Sequence, residues 1–282
     1  MYSNLSDLKK AGLFYGLAMI LSLAVVLFFR AIAPQAEIVL PVNMMTPLLA
    51  TVIMLFVVTR DGYTRNGRSS LGLGRSGWRS WALALLLPLP ILAVIYGLGW
   101  LSGVAPLVAP TDNDGLPGLL SNFLPGPGIL ISILLALGEE IGFRGYLLPR
   151  LLELGRTQAL ILSGFLHATW HLPIIFLTPF YLTEGNRLLT IPVFLLLLTA
   201  AGTIYGALRL ATDCLWPPTI LHGSFNAYLN VFTTLTVMSS PLAIYLVGES
   251  GMLTLLATAV LALWFIQRWQ APVERIPALN KS

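Results

Sequence analysis

Long apolar stretches separated by short polar ones run the length of the chain. They recur near 11–32, 42–59, 80–102, 128–148, 157–177, 190–209, 217–236 and 251–267. A helix needs about 20 mostly apolar residues to cross a bilayer, so the pattern predicts eight membrane spans. Leu85-Leu86-Leu87-Pro88-Leu89-Pro90 sets two prolines inside the third span and predicts a kink there. The stretch 237–250 is mixed; it either lengthens the seventh span or forms a loop. The expected fold is all-α, a polytopic membrane helix bundle of about eight transmembrane helices with a core made by the later four. The chain then divides into N-terminal helices and loops over 1–124, a core over 125–236, and a last helix with a cytoplasmic tail over 237–282. Pro106, Pro110, Pro117, Pro125 and Pro127 make the loop 103–127 an irregular connector between the front section and that core.

Composition agrees with the pattern. Of 282 residues, 56% are hydrophobic and 10% charged, far below the roughly 25% charged of soluble domains. No polar segment is long enough to fold separately. In the eight-span scheme, Lys9, Lys10, Arg60, Arg65, Arg68, Arg75, Arg79, Arg150, Arg156, Arg209, Arg268, Arg275 and Lys281 fall on one side. The other side holds Glu37, Asp112, Asp114, Glu184 and Glu249, with Arg30 and Arg187 as its basic residues. Lysine and arginine concentrate in cytoplasmic loops, so both termini are expected in the cytoplasm, with a prokaryotic plasma membrane as the location. The formal charge of +4 reflects that loop bias, and the expected partner is the bilayer, not nucleic acid. Cys214 is the only cysteine, which excludes an internal disulfide. The first apolar run is too long for a leader core and reads as an uncleaved span. The basic loop 60–79 lacks a Walker pattern and is expected to touch anionic lipid. Asp112 and Asp114 read as part of a solvated loop; two acids and one asparagine are a thin calcium set.

Against this background Gly138-Glu139-Glu140-Ile141-Gly142-Phe143-Arg144 stands out. Ionisable residues inside a membrane are costly, by ~3 kcal/mol or more at the bilayer centre, and usually mark a working interior. Glu140 and Arg144 are four apart with the acid first, the favourable order for a helical ion pair. Glu139 lies about 100° round the helix. Glu140 is therefore expected to be held by Arg144, leaving Glu139 for chemistry; a structural pair plus a spare acid facing a polar cavity is the plainer alternative.

All three histidines fall in later spans. His167 and His171 share a helix face, as in metal-binding HExxH helices, but residue 168 is alanine, so the base of that motif is missing. His222 and Asn226 also share a face and make a donor pair of the kind that stabilises an oxyanion, or an interhelical hydrogen-bond pair. Counting along straight helices puts Glu139 ~15 Å, His171 ~20 Å and His222 ~7 Å from the arginine-rich side, a loose match in depth.

Glu139-Glu140-x-x-x-Arg144, Trp170-His171-Leu172-Pro173 and His222-x-x-x-Asn226 together resemble the CAAX-protease and bacteriocin-processing (CPBP) family, which includes type II CAAX prenyl endopeptidases. The resemblance covers roughly residues 125–230. The family usually has an aromatic four residues before its histidine; aligned on His171, that place holds His167, either a polar stand-in or an added ligand. The resemblance implies an intramembrane endopeptidase acting on a peptide or lipid-anchored protein. Glu139 and His171 would activate water, His222 and Asn226 would stabilise the oxyanion, and Glu140 and Arg144 would support the site or grip the substrate's C-terminal end. Glu139, His171 and His222 can supply three ligands to a divalent metal such as zinc, while a glutamate–histidine pair with an oxyanion hole can also hydrolyse a peptide without metal. Outside the enzyme reading stand a catalytically silent membrane partner or immunity protein, and a proton-coupled transporter; no repeated halves of the kind transporters carry are visible.

Overall fold

The computed structural model describes residues 5–74, 77–109, 117, 126–182, 184–238 and 240–268. Among these the ordered elements are helices, with one isolated antiparallel bridge between Leu107 and Thr236. Helix α1 spans Asp7–Ile32. The second run is α2, Val39–Met44, then α3, Thr46–Ile53, then a π-helical turn over Met54–Val58. A short helix α4, Arg65–Ser69, sits in the basic loop. The third run is α5, Trp78–Leu86, and α6, Pro88–Ser102. The break falls at the expected prolines, because Pro88 lacks an N–H and crowds the preceding turn.

The later part follows the same rhythm. The fourth run is α7, Pro127–Glu140, a π-helical turn over Ile141–Leu147, and α8, Leu148–Leu151. The fifth is α9, Arg156–Trp170, and α10, Leu172–Leu177. Helix α11, Arg187–Thr212, is the sixth and α12, Trp216–Thr234, the seventh. The mixed stretch after it is a connection holding one short helix, α13, Pro241–Leu246. Helix α14, Met252–Arg268, closes the described chain. Asp112, Asp114, Arg75, Arg275 and Lys281 lie outside the described residues.

Among the described residues, five runs are long and apolar enough to cross a membrane: Asp7–Ile32, Val39–Val58, Trp78–Leu101, Arg156–Leu177 and Arg187–Thr212. The outward surface carries large apolar side chains along these and other helices, among them Ile20, Leu83, Val94, Leu134, Leu196 and Val260. Such a broad exposed apolar surface is stable against lipid tails, not water; this is an integral membrane protein. The remaining runs fall short for identifiable reasons. The fourth carries Glu139, Glu140 and Arg144, α12 carries His222, Ser224, Asn226 and Asn230, and α14 has 17 residues.

Small residues let the core helices approach. Gly164 of α9 and Gly202 of α11 meet face to face; a Cβ on Gly202 would lie 2.6 Å from the Gly164 Cα. Helix α12 packs against α7, α5, α6 and α11. Its Gly223 approaches α7 so closely that a Cβ would lie 2.7 Å from the Ile133 nitrogen, and the Gly223 carbonyl accepts from Ser132 Oγ at 2.8 Å. Close approach through glycine, with a hydroxyl bridging helices, is how membrane helices associate without a hydrophobic driving force. The contact fixes the histidine-bearing helix against the glutamate-bearing one.

Candidate active site

Glu139 and Glu140 end α7, and the chain widens into the π turn directly after them. Such widened turns are rare and cluster at functional sites. Gly142, within that turn, lets α3 and α1 pack closely on it: a Cβ at that position would lie 2.5 Å from Pro47 Cβ and 3.0 Å from the Phe14 ring. Glu139, Glu140 and Arg144 are all buried, with Arg144 wholly so.

Arg144 Nη1 donates to Glu140 Oε1 at 2.9 Å, the pair the sequence spacing implied. The same Nη1 lies 2.9 Å from His167 Nδ1. A guanidinium can only donate, so His167 Nδ1 accepts and the proton of a neutral ring sits on Nε2. That Nε2 is 2.7 Å from Glu139 Oε2 and donates to it. Arg144, His167 and Glu139 thus form a directed chain, with the His167 ring stacked on Phe143 at 4.4 Å between centroids. The face that an aromatic would cover is covered, and two polar contacts are added.

The other two histidines are set the opposite way round. His171 Nδ1 lies 3.0 Å from the His167 carbonyl and donates to it, which leaves Nε2 with its lone pair. His222 Nδ1 lies 2.9 Å from Glu140 Oε1, and its Nε2 is 4.0 Å from Glu139 Oε2. In the neutral ring that Nε2 is bare; in the imidazolium it is a second donor, flanked by two carboxylates. Tyr205 stacks on His222 at 5.0 Å and 16°, and the Arg144 guanidinium lies 5.3 Å from the Tyr205 ring centre.

Glu139, His171, His222 and Asn226 line one cavity of about 690 Å³. His167, Glu140 and Arg144 do not line it; they stand behind Glu139 and His222. The depth mismatch expected from straight helices is absent, since carboxylate and imidazoles meet within a few ångströms. The helices are not straight: the π turn shifts α7 against its continuation, and α9 breaks at His171 before Pro173. Tyr181 and Glu249 complete the outer wall. The Tyr181 hydroxyl donates to Glu249 Oε1 at 2.7 Å, and its ring stacks on His171 at 5.9 Å. Burial raises the Glu249 carboxyl from its ordinary value, with the Tyr181 hydroxyl and His222 acting against that rise.

Two ligand sets for a metal can be drawn. By distance, atoms of Glu139, His167 and His171 all lie within 4.8 Å of one another. By donor chemistry, His167 Nε2 carries the proton it gives to Glu139, whereas His171 and neutral His222 each offer a bare Nε2 steered by a hydrogen bond on Nδ1. That steering is the usual outer-shell arrangement of a metal-binding histidine. The residues fit a divalent ion, and donor chemistry favours Glu139, His171 and His222 over the set picked by distance.

Tyr181, Tyr205, Phe143 and Glu249 belong to the site and were not singled out by sequence. A tyrosine in an otherwise apolar helix, and a lone acid in the mixed stretch 237–250, were the available signals. Residues 121–228 match the family model described as type II CAAX prenyl endopeptidase Rce1-like. That span contains Glu139, Glu140, Arg144, His167, His171, Tyr181, Tyr205, His222 and Asn226, and not Glu249. No curated protein matches the chain.

Proposed function

We propose that this protein is an intramembrane endopeptidase that hydrolyses a peptide bond in a membrane-anchored or prenyl-type peptide substrate. The observation that carries the reading is that Glu139, His171, His222 and Asn226 line one cavity inside a stretch matching an endopeptidase family. Water held between the Glu139 carboxylate and His171 Nε2 loses a proton to that pair as its oxygen attacks the scissile carbonyl. The negative charge that develops on the carbonyl oxygen meets donors from the Asn226 amide and His222. The proton then passes to the departing amine, which completes cleavage. Glu140 and Arg144 act one layer behind, fixing His222 and His167. Without metal, the oxyanion role requires the His222 imidazolium, because neutral His222 spends its proton on Glu140. With metal, Glu139, His171 and neutral His222 would hold the ion, which supplies Lewis acidity to the water and the carbonyl.

The test compares membranes from cells expressing the wild type and Glu139→Gln at equal levels, reading new peptide termini by mass spectrometry. Termini that depend on Glu139 are expected. Equal sets of termini from both, with the wild type correctly inserted, would end the protease reading.

A further inference from the structure

The cavity is one-sided. From Glu139 its walls run along the early part of α7, past Ser132, to Leu182 and Glu184 in one connection and to Met238 and Glu249 in another. All these connections lie at the end of the bundle opposite the basic loops. In the other direction the way is filled: Phe143, Arg144, Tyr146 and Leu147 are each fully buried. The basic residues sit beyond that filling, where Lys10 and Arg150 reach Asp61 and Arg209 reaches the Ser70 carbonyl. Lysine and arginine mark the cytoplasmic end of a membrane bundle, so the cavity opens away from the cytoplasm.

Its chemistry is equally lopsided. Among the described residues the lining includes the carboxylates of Glu139, Glu184 and Glu249 and no lysine or arginine. Two further lining groups have no hydrogen-bond partner among the described residues although both are more than nine-tenths buried: the side-chain oxygen of Asn43 and the Ser250 hydroxyl oxygen. The Trp170 indole N–H, in the same lining, likewise has no hydrogen-bond partner among the described residues. Buried polar groups without partners are unusual. Acceptors and a donor in one cavity suit a peptide backbone, which presents both N–H and C=O.

We propose that the site receives its substrate from the extracytoplasmic side, as a peptide segment carrying lysine or arginine next to the scissile bond. A terminal carboxylate would enter a cavity whose described lining has three acids and no lysine or arginine, since Arg144 is sealed behind Glu140; the positive charge of a His222 imidazolium lies at the inner end, against Glu139 and Glu140. An ammonium or guanidinium meets the acceptor oxygens of Glu184 and Glu249 along the connections and of Glu139 further in. The chemistry of cleavage rests on the endopeptidase reading; the side of entry and the sign of charge do not.

The experiment uses the full-length protein with Cys214→Ala and one new cysteine, Ser132→Cys in the cavity wall or Met238→Cys at the mouth. Ser69→Cys in the basic loop is the sidedness control. Spheroplasts and inside-out vesicles are treated with membrane-impermeant methanethiosulfonates, one cationic (trimethylammonium) and one anionic (sulfonate). The cavity cysteines are expected to react in spheroplasts and Ser69→Cys in inside-out vesicles. The cationic reagent should react about tenfold faster than the anionic one at Ser132→Cys, and Glu184→Gln with Glu249→Gln should narrow the ratio. An oligolysine peptide should slow the labelling, and an oligoglutamate peptide should not. Reaction of both cavity cysteines from inside-out vesicles alone, no reaction at either, or equal rates for the two reagents would overturn the proposal. Labelling needs no turnover, so this result stands apart from the Glu139→Gln comparison.

Discussion

His167 is the residue whose surroundings say most about how the site is held. It takes a hydrogen bond from Arg144 and gives one to Glu139, and it lies flat against Phe143. Replacing it with phenylalanine keeps the stack and removes both polar contacts, leaving the Glu139 carboxylate free to turn. His167→Phe is expected to fold and insert, and to cleave about 10–100-fold more slowly, the usual cost of losing an outer-shell partner. Metal analysis separates the two ligand sets in the same preparation. In zinc-loaded protein, His171→Ala should lose the ion and His167→Phe should keep it; loss in His167→Phe would make that residue a ligand. Glu140 and Arg144 were legible because both ends of their pair sit on one helix at a fixed spacing. The role of His167 was not, because its partners lie 28 and 23 residues away on another helix. Its departure from the aromatic pattern was visible, but the tautomer that explains it depends on which nitrogen faces Arg144.

At the scale of elements, glycine contacts decide where the chemistry-bearing helices lie. The contact between Gly164 and Gly202 leaves no room for a side chain on either, and a Cβ on Gly202 would also meet Arg144 Nη2 at 2.5 Å. Gly202→Val is expected to destabilise the fold by about 1–3 kcal/mol through overpacking. It should also lower cleavage by pushing Arg144 from Glu140 and His167. Thermal unfolding in detergent measures the first effect and turnover at a temperature where the variant is folded measures the second; an unchanged melting point would show that α9 and α11 can part without cost. The succession of helical runs was written in the hydrophobic pattern, since a membrane forces long apolar segments. The proline break before α6 was legible for the same local reason. The break of α9 at His171 has a similar local signal in Pro173, whereas no proline lies within the π turn. Straight-helix counting therefore missed how closely Glu139, His171 and His222 meet, and it gave no hint that Tyr205 and Tyr181 would stack on the two histidines.

For the whole molecule the governing feature is that one end is shut and the other open. The shut end combines an aromatic plug with an ionic node. Phe14 of α1 packs on Phe143 and Tyr146 at 6.1 and 5.2 Å between centroids, and the Arg150 guanidinium lies 3.5 Å from the Tyr146 ring centre. Asp61, in the basic loop, holds Lys10 at 2.9 Å and Arg150 at 3.8 Å, joining α1, α8 and that loop. Asp61→Asn keeps the shape and removes the charge that two nearly buried cations share. A loss of about 1–3 kcal/mol is expected, the penalty for leaving buried donors poorly matched. It should appear as a melting point several degrees lower in detergent. Because Asp61 is remote from the mouth, labelling of Ser132→Cys from the open side should keep its rate and its preference for the cationic reagent. A variant that melts as the wild type does would assign the closure to the Phe14, Phe143 and Tyr146 packing alone. One that melts lower and also admits reagent to Ser132→Cys from the basic face would show that the ionic node is what keeps the cavity single-ended.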